Sequence, residues 1–108
     1  MTVNELVAAG NFIPIVISDG EREVSGVYIG DLLSWVMGRA DSGNVWITIM
    51  SNINIIAVAS LADVSCIVIA EGVVLEEDVI NTANAKGINI LSAKESIYEI
   101  ALKLGSIL

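Results

Sequence analysis

Short apolar runs separated by polar or glycine-containing turns make up most of this chain. The runs "FIPIVIS", "EVSGVYIG", "NVWITIM", "VSCIVIA" and "INIL" are rich in β-branched and aromatic residues, which favours strands. The central runs are apolar without alternation, a pattern typical of parallel strands covered on both faces. The pattern therefore predicts five strands, and Pro14 places the first of them at an edge or gives it an irregular start.

The segments between these runs have the spacing and the end signals of helices. Thr2 and Glu5 form a capping box for a first helix that stops at Gly10. A second helix is expected over "DLLSWVMGRA", with Asp31 near its start. A third helix is expected over "INIIAVASLA", with Ser51 as its N-cap and Asp63 as its end. A fourth is expected over "LEEDVINTANAKG" and is ended by Gly87. A fifth begins with a capping box of Ser92 and Glu95, runs through about Leu104 and is ended by Gly105.

The order of these elements, α-β-β-α-β-α-β-α-β-α, determines the predicted fold class. It predicts a three-layer α/β/α fold in which a mostly parallel sheet of about five strands has helices on both faces and right-handed crossovers. The 108 residues are enough for one domain with a real core, so residues 1–108 are expected to form a single domain.

The stretch from Ser42 to Ala62 has no charged residue and is long enough to raise the question of a membrane span. It also holds three Asn residues, whose amides would need partners in hydrocarbon. Its flanks are Asp41 and Asp63, and no basic residue lies nearer than Arg39. We therefore interpret it as a strand, a turn and a helix of a soluble core.

The composition excludes several classes of function. The chain has 5 Lys and Arg against 13 Asp and Glu, a net charge of −8, which argues against binding nucleic acid or an anionic membrane surface. There is no His, so neither a zinc site nor a His-based catalytic triad is expected. The single Cys66 is expected to be a buried core residue, which excludes a disulfide framework and favours the reducing cytoplasm.

Polar residues and glycines follow the predicted strands at what would be the carboxyl edge of the sheet. Ligands of open α/β sheets bind at this edge, close to helix N-termini. The edge is therefore the candidate ligand site, and it comprises Gly30, Asp31, Ser51, Asn52, Asn54, Glu71 and Gly72. Most of these residues also suit plain capping or turn roles.

Signatures of catalysis are missing from the sequence. There is no P-loop and no Gly-x-Gly-x-x-Gly motif. Asp31 and Glu71 could pair for acid/base work or for magnesium, but nothing in the sequence fixes their separation. We therefore expect no catalytic residues, no metal site and no cofactor.

The helix "DLLSWVMGRA" is apolar over more than one face, which indicates burial on several sides. A second subunit can supply the extra cover, and Trp and Met are enriched in interface cores. The alternative is that the helix is buried in its own core. The interface hypothesis names Leu32, Trp35, Val36 and Met37.

The stretches "EVSGVYIGDLLSWVM", "VWITIMSNINIIAVASLADVSCIVIAEG" and "GINILSAKESIYEIALKLG" resemble the DRTGG domain family, over about Glu5 to Leu104. The resemblance implies an α/β domain related to the N-terminal domain of HPr kinase/phosphorylase. Such domains occur fused to other enzymes as regulatory or dimerisation modules, and stand-alone copies exist. The kinase P-loop domain is absent here. The string Asp-Arg-Thr-Gly-Gly is absent too, and Asn52 or Asn54 would stand near its place.

Three functions follow, in order of preference. The first is a non-catalytic, cytoplasmic regulatory or scaffold domain that forms a homodimer and serves a protein partner encoded nearby. The second is a sensor that binds a nucleotide or phosphate compound at the carboxyl edge of the sheet. The third is a divergent phosphotransfer enzyme, against which the missing P-loop and the missing His weigh.

Overall fold

Five helices and five strands follow one another in the computed structural model, which describes residues 1–108. Their order is the predicted one, and the predicted α/β class is confirmed. The elements are α1 (Val3–Gly10), β1 (Ile13–Val16), β2 (Val27–Ile29), α2 (Leu33–Arg39), β3 (Val45–Thr48), α3 (Asn54–Ala62), β4 (Cys66–Ile69), α4 (Glu77–Lys86), β5 (Ile90–Ser92) and α5 (Ile97–Ile107).

The five strands form one sheet in the order β1-β5-β4-β3-β2. Strands β2 to β5 are parallel, and β1 pairs antiparallel with β5 at one edge. Pro14 lies in this edge strand, beside a register shift between Pro14 and Val16. Proline is tolerated there because an edge strand has backbone N–H positions that need no partner in the sheet.

Each of the strands β2 to β5 lies next to the one before it in the chain, so the parallel part of the sheet is wound in a single direction. Right-handed crossovers in one direction place all their helices on the same face. Accordingly α2, α3 and α4 pack on one face of the sheet, and α1 and α5 cover the other.

The two core layers explain why β3 and β4 lack alternation. Every residue of both strands is buried. In β3, Trp46 packs on the side of α2, α3 and α4, while Val45 and Ile47 pack on the side of α1 and α5. Cys66 is buried in the second layer, as predicted, and desolvation raises the pKa of its thiol to about 12.

The capping box of α1 is confirmed, since Thr2 accepts from the backbone N–H of Glu5 and the Glu5 carboxylate accepts from that of Thr2. The box predicted for α5 is wrong. Its Ser92 lies in β5, paired with β1 and β4, and the real box is formed four residues later by Ser96 and Glu99. The spacing Ser-x-x-Glu occurs twice in "SAKESIYE". The serine of the first copy is paired within the sheet, so only the second copy caps the helix.

The last helix also extends further than predicted. Its residues run to Ile107, so Gly105 lies inside the helix and does not end it. Glycine costs roughly 1 kcal/mol in a helix interior, which packing of α5 through Ile100 and Leu104 offsets.

Buried amide side chains hold the amino-terminal edge of the sheet. Asn44 precedes β3, accepts from the backbone N–H of Asp41 and donates to the carbonyl of Ser25. Asn89 precedes β5, accepts from the N–H groups of Ser18 and Asp19, and donates to the carbonyls of Asp19 and Ser65. Each side-chain nitrogen and oxygen of these amides has a hydrogen-bond partner, so their role is to fix the loops that enter the sheet.

The uncharged stretch from Ser42 to Ala62 forms β3 and α3, as the sequence predicted. None of the five helices has both the length and the apolar character that crossing a bilayer requires.

Candidate functional site

The carboxyl edge of the sheet does not gather the predicted ligand residues into one site. A doubly wound sheet opens a crevice where the direction of winding reverses. Here β2 to β5 are wound in one direction, so no such reversal exists among the parallel strands. Ser51 and Asn52 line one cleft, Asn54 lines a second, and Gly72 lines a third, whereas Gly30, Asp31 and Glu71 line none of the three.

Gly30 and Asp31 connect the ends of β2 and β3. The Asp31 carboxylate oxygen Oδ1 accepts from the Thr48 hydroxyl at 2.7 Å and from the backbone N–H of Ile49 at 3.1 Å. The carbonyl of Gly30 accepts from the Trp46 indole N–H at 2.9 Å. Asp31 was expected near the start of α2 as a cap, but the N-cap of α2 is Leu32, without a side-chain hydrogen bond.

The turn "MSNIN" enters α3 differently from the prediction. Ser51 was expected to be the helix N-cap, yet the N-cap is Ile53, without a side-chain bond. The side-chain hydrogen bond at this turn comes from Asn52, whose side-chain oxygen accepts from the backbone N–H of Asn54 at 2.9 Å. Such a bond two residues ahead is typical of Asn in a turn. Asn52 and Asn54 are exposed.

Ser51 and Asn52 border a cleft of about 330 Å³ between the starts of α3 and α4. The opposite wall carries Glu76 and Asp78, and no Lys or Arg lines the cleft. A phosphate group placed there would meet two carboxylates, so the cleft favours a cation or a neutral polar group over a bare anion.

Glu71 and Gly72 form the tight turn after β4. Both have positive φ, 63° and 67°, a conformation that glycine adopts without strain and that costs energy at Glu71. Their N–H groups donate to the carbonyls of Glu95 and Ala93, which ties the turn to the segment after β5. The Glu71 side chain is exposed. Across the whole structure, no three residues among Cys, Asp and Glu are placed to hold a metal ion.

The helix α2 presents part of its apolar surface to solvent. Leu32 and Trp35 are 58% and 52% exposed and lie with Arg39 on one stripe of the helix, and Met37 is also exposed. The Arg39 guanidinium stacks 3.7 Å from the centroid of the Trp35 ring. Val36 is a correction to the interface hypothesis, because it is completely buried in the core of its own domain and cannot contact a second subunit.

A third cleft, which the sequence did not predict, lies between β1 and α4 and is mostly apolar. Its signal in the sequence is the alternation of Ile13 and Ile15 in "FIPIVIS", which remain partly exposed in the edge strand. Alternation in an edge strand does not identify which face carries a cleft, since the covering helix comes from much later in the chain.

Comparison with known proteins gives a family and a structural neighbour. The profile of the DRTGG domain family matches residues 14–107. A crystal structure of the CBS and DRTGG domains of the regulatory region of Clostridium perfringens pyrophosphatase, complexed with its activator diadenosine tetraphosphate, has the same fold with a TM-score of 0.74. The two sequences are 12% identical, and the alignment covers 95% of this chain and 45% of the neighbour's. No curated protein matches the chain significantly.

Proposed function

This chain belongs to the DRTGG domain family, and on that basis we propose that it is a regulatory domain without catalytic activity that works as a homodimer and acts on a partner protein. The observation that carries the homodimer is the exposed apolar surface of α2 beside the edge strand β2. Leu32, Trp35 and Met37 of the helix segment are each at least 45% exposed.

The distribution of charge supports the same surface. A chain with net charge −8 repels its own copies, so self-association requires a region with few charges. Between Val24 and Ala62 the only charged residues are Asp31, Arg39 and Asp41. A standard interface takes about 800 Å² from each subunit, roughly one seventh of the 5417 Å² surface of this chain.

Sedimentation velocity at micromolar concentration tests the homodimer. We expect a dimer for the wild type and a monomer for Trp35→Glu, because the substitution buries a carboxylate in the apolar centre of the interface. Leu102→Glu is the matched control: Leu102 is 57% exposed, and it lies on α5, which covers the other face of the sheet. A monomeric wild type, or equal dissociation by both variants, would rule out this interface.

A second candidate function is binding of a nucleotide or phosphate compound at the cleft bordered by Ser51 and Asn52. The observation that favours it is the diadenosine tetraphosphate complex of the neighbour's regulatory region. The carboxylates of Glu76 and Asp78 face the same cleft, so a polyphosphate would bind there together with a divalent cation.

Calorimetric titration with diadenosine tetraphosphate, with and without Mg²⁺, tests this second function. We expect binding that depends on Mg²⁺, that weakens in Asn52→Ala, and that loses part of its Mg²⁺ dependence in Glu76→Gln. Asn81→Ala, an exposed amide on α4 away from the cleft, is the control and should bind as the wild type does. Absence of heat with every combination of nucleotide and cation would exclude this site.

A further inference from the structure

A third cleft, of about 260 Å³, lies at the sheet edge opposite to α2. It exists because β1 is added antiparallel outside β5, while α4 crosses between β4 and β5 and covers the outermost strand incompletely. Ile13 and Ile15 of β1 form one wall, and Ile80 of α4 and Leu75 form the other. Its lining is mostly hydrophobic, so water in it is poorly bound and an apolar group would displace it.

Two residues with polar side chains line this apolar cleft. Ser92 and Lys94 both line it, whereas Ala93 between them is buried on the opposite side of the sheet. The Ser92 hydroxyl makes no hydrogen bond within the protein, although the residue is half-buried. Lys94 takes part in none of the ion pairs, in contrast to Arg22, which binds Asp63, and to Lys103.

The chemistry of the lining identifies the class of ligand. An unpaired ammonium and a free hydroxyl at an apolar wall suit a molecule with an apolar body and an anionic head that accepts hydrogen bonds. Lys94 is the only cation that lines the cleft, and the chain has a net charge of −8, so the cleft favours a monovalent anion over a polyphosphate. The volume lies between the roughly 150 Å³ that holds benzene and the roughly 300 Å³ at which drug-sized sites begin.

We propose that the cleft between β1 and α4 binds a small apolar monocarboxylic acid, such as a medium-chain fatty acid. The hydrocarbon chain lies against Ile13, Ile15 and Ile80, and the carboxylate binds the Lys94 ammonium and the Ser92 hydroxyl. This site is distinct from both functions proposed above, because no residue of α2 lines it and because Val74 is the only residue that it shares with the cleft at Ser51.

Titration of the full chain with octanoate, octanol and octylammonium, followed by amide NMR spectra, tests the proposal. The three probes share one hydrocarbon chain and differ in charge, so we expect affinity to decrease in that order. The amide shifts with octanoate should centre on residues 72–75, 80 and 92–94. Ile13→Thr, an exposed edge position that keeps a β-branched side chain, should weaken octanoate and octanol alike.

Substitution of the cation separates a specific contact from the general effect of charge. Lys94→Gln should weaken octanoate up to about five-fold, the range of an exposed ion pair, and leave octanol unchanged. Lys86→Gln removes the same charge from α4 outside this cleft and should leave octanoate binding unchanged. An equal loss in both variants, shifts centred on Trp35, or absence of shifts with octanoate would overturn the proposal.

Discussion

Replacing Asp31 by alanine tests whether this carboxylate holds the carboxyl ends of β2 and β3 together. The sequence offered Asp31 as a ligand of the sheet edge or as a helix cap, whereas in the structure one of its oxygens accepts from the Thr48 hydroxyl and from the backbone N–H of Ile49. The two donors differ in burial, so the cost of losing each can be estimated separately.

The Thr48 side chain is completely buried, and its hydroxyl also accepts from the backbone N–H of Met50. Without Asp31 that hydroxyl loses its acceptor, and a buried group left unpaired costs about 1–3 kcal/mol. The N–H of Ile49 belongs to an exposed residue and can bind water, so its loss adds little. We therefore expect Asp31→Ala to lower the free energy of unfolding by about 1–2 kcal/mol, which lowers Tm by about 4–8 °C per kcal/mol in a domain of this size.

Urea unfolding followed by circular dichroism, at one fixed protein concentration, measures the change. Asp31→Asn is the control, because its amide oxygen still accepts and it should lose less than half as much stability. A double-mutant cycle with Thr48→Val isolates the contact, since Asp31→Ala should cost little once the hydroxyl is gone. If Asp31→Ala costs the same in both backgrounds, the carboxylate does not act through Thr48 and the reasoning is refuted.

Three further predictions concern stability. Asn89→Ala should lower the unfolding free energy by about 2–4 kcal/mol in the same urea assay, because it removes an amide that bonds four backbone groups in a buried position; a loss below 1 kcal/mol would contradict the role given to that amide. Ser96→Ala should lower the free energy of unfolding by about 1 kcal/mol, because it removes the N-cap of α5, and Ser92→Ala should change it by close to nothing. The reverse order would mean that Ser92 and Glu95 form the capping box of this helix. The Lys103 ammonium holds the pKa of Glu95 below its ordinary value of 4.5. This pair therefore stabilises the fold above that pH, and its contribution is lost as the pH falls through the lowered pKa. In thermal melts recorded against pH, stability should decline less steeply in acid for Glu95→Gln than for the wild type, and parallel curves would exclude the linkage.

The carboxyl edge shows why the candidate site was predicted only in part. The sequence correctly indicates that Gly30, Asn52 and Gly72 follow strands, because strand ends are marked by local composition. Their distribution over separate places follows from the order of strands, which no local pattern contains. The role of Asp31 depends on Thr48, seventeen residues further along the chain.

The local pattern also does not predict which side chains of α2 are buried. The helix is apolar over more than one face, and the sequence cannot tell which apolar side chains face the sheet. Only packing against β3 and α3 assigns Val36 to the core and leaves Trp35 in solvent. The cleft between β1 and α4 has the same origin, since β1 and α4 are separated by sixty residues in the chain.

The sequence by itself determined the class of the fold, the order of the ten elements, the first capping box and the burial of β3, β4 and Cys66. These features depend on periodicity, on caps and on runs of apolar residues, all of which act within a few neighbouring positions. The tertiary structure alone decided the winding of the sheet in one direction, the copy of Ser-x-x-Glu that caps α5, the partner of Asp31 and the three clefts. Each of these depends on which distant segments pair, and that is decided by packing over the whole chain.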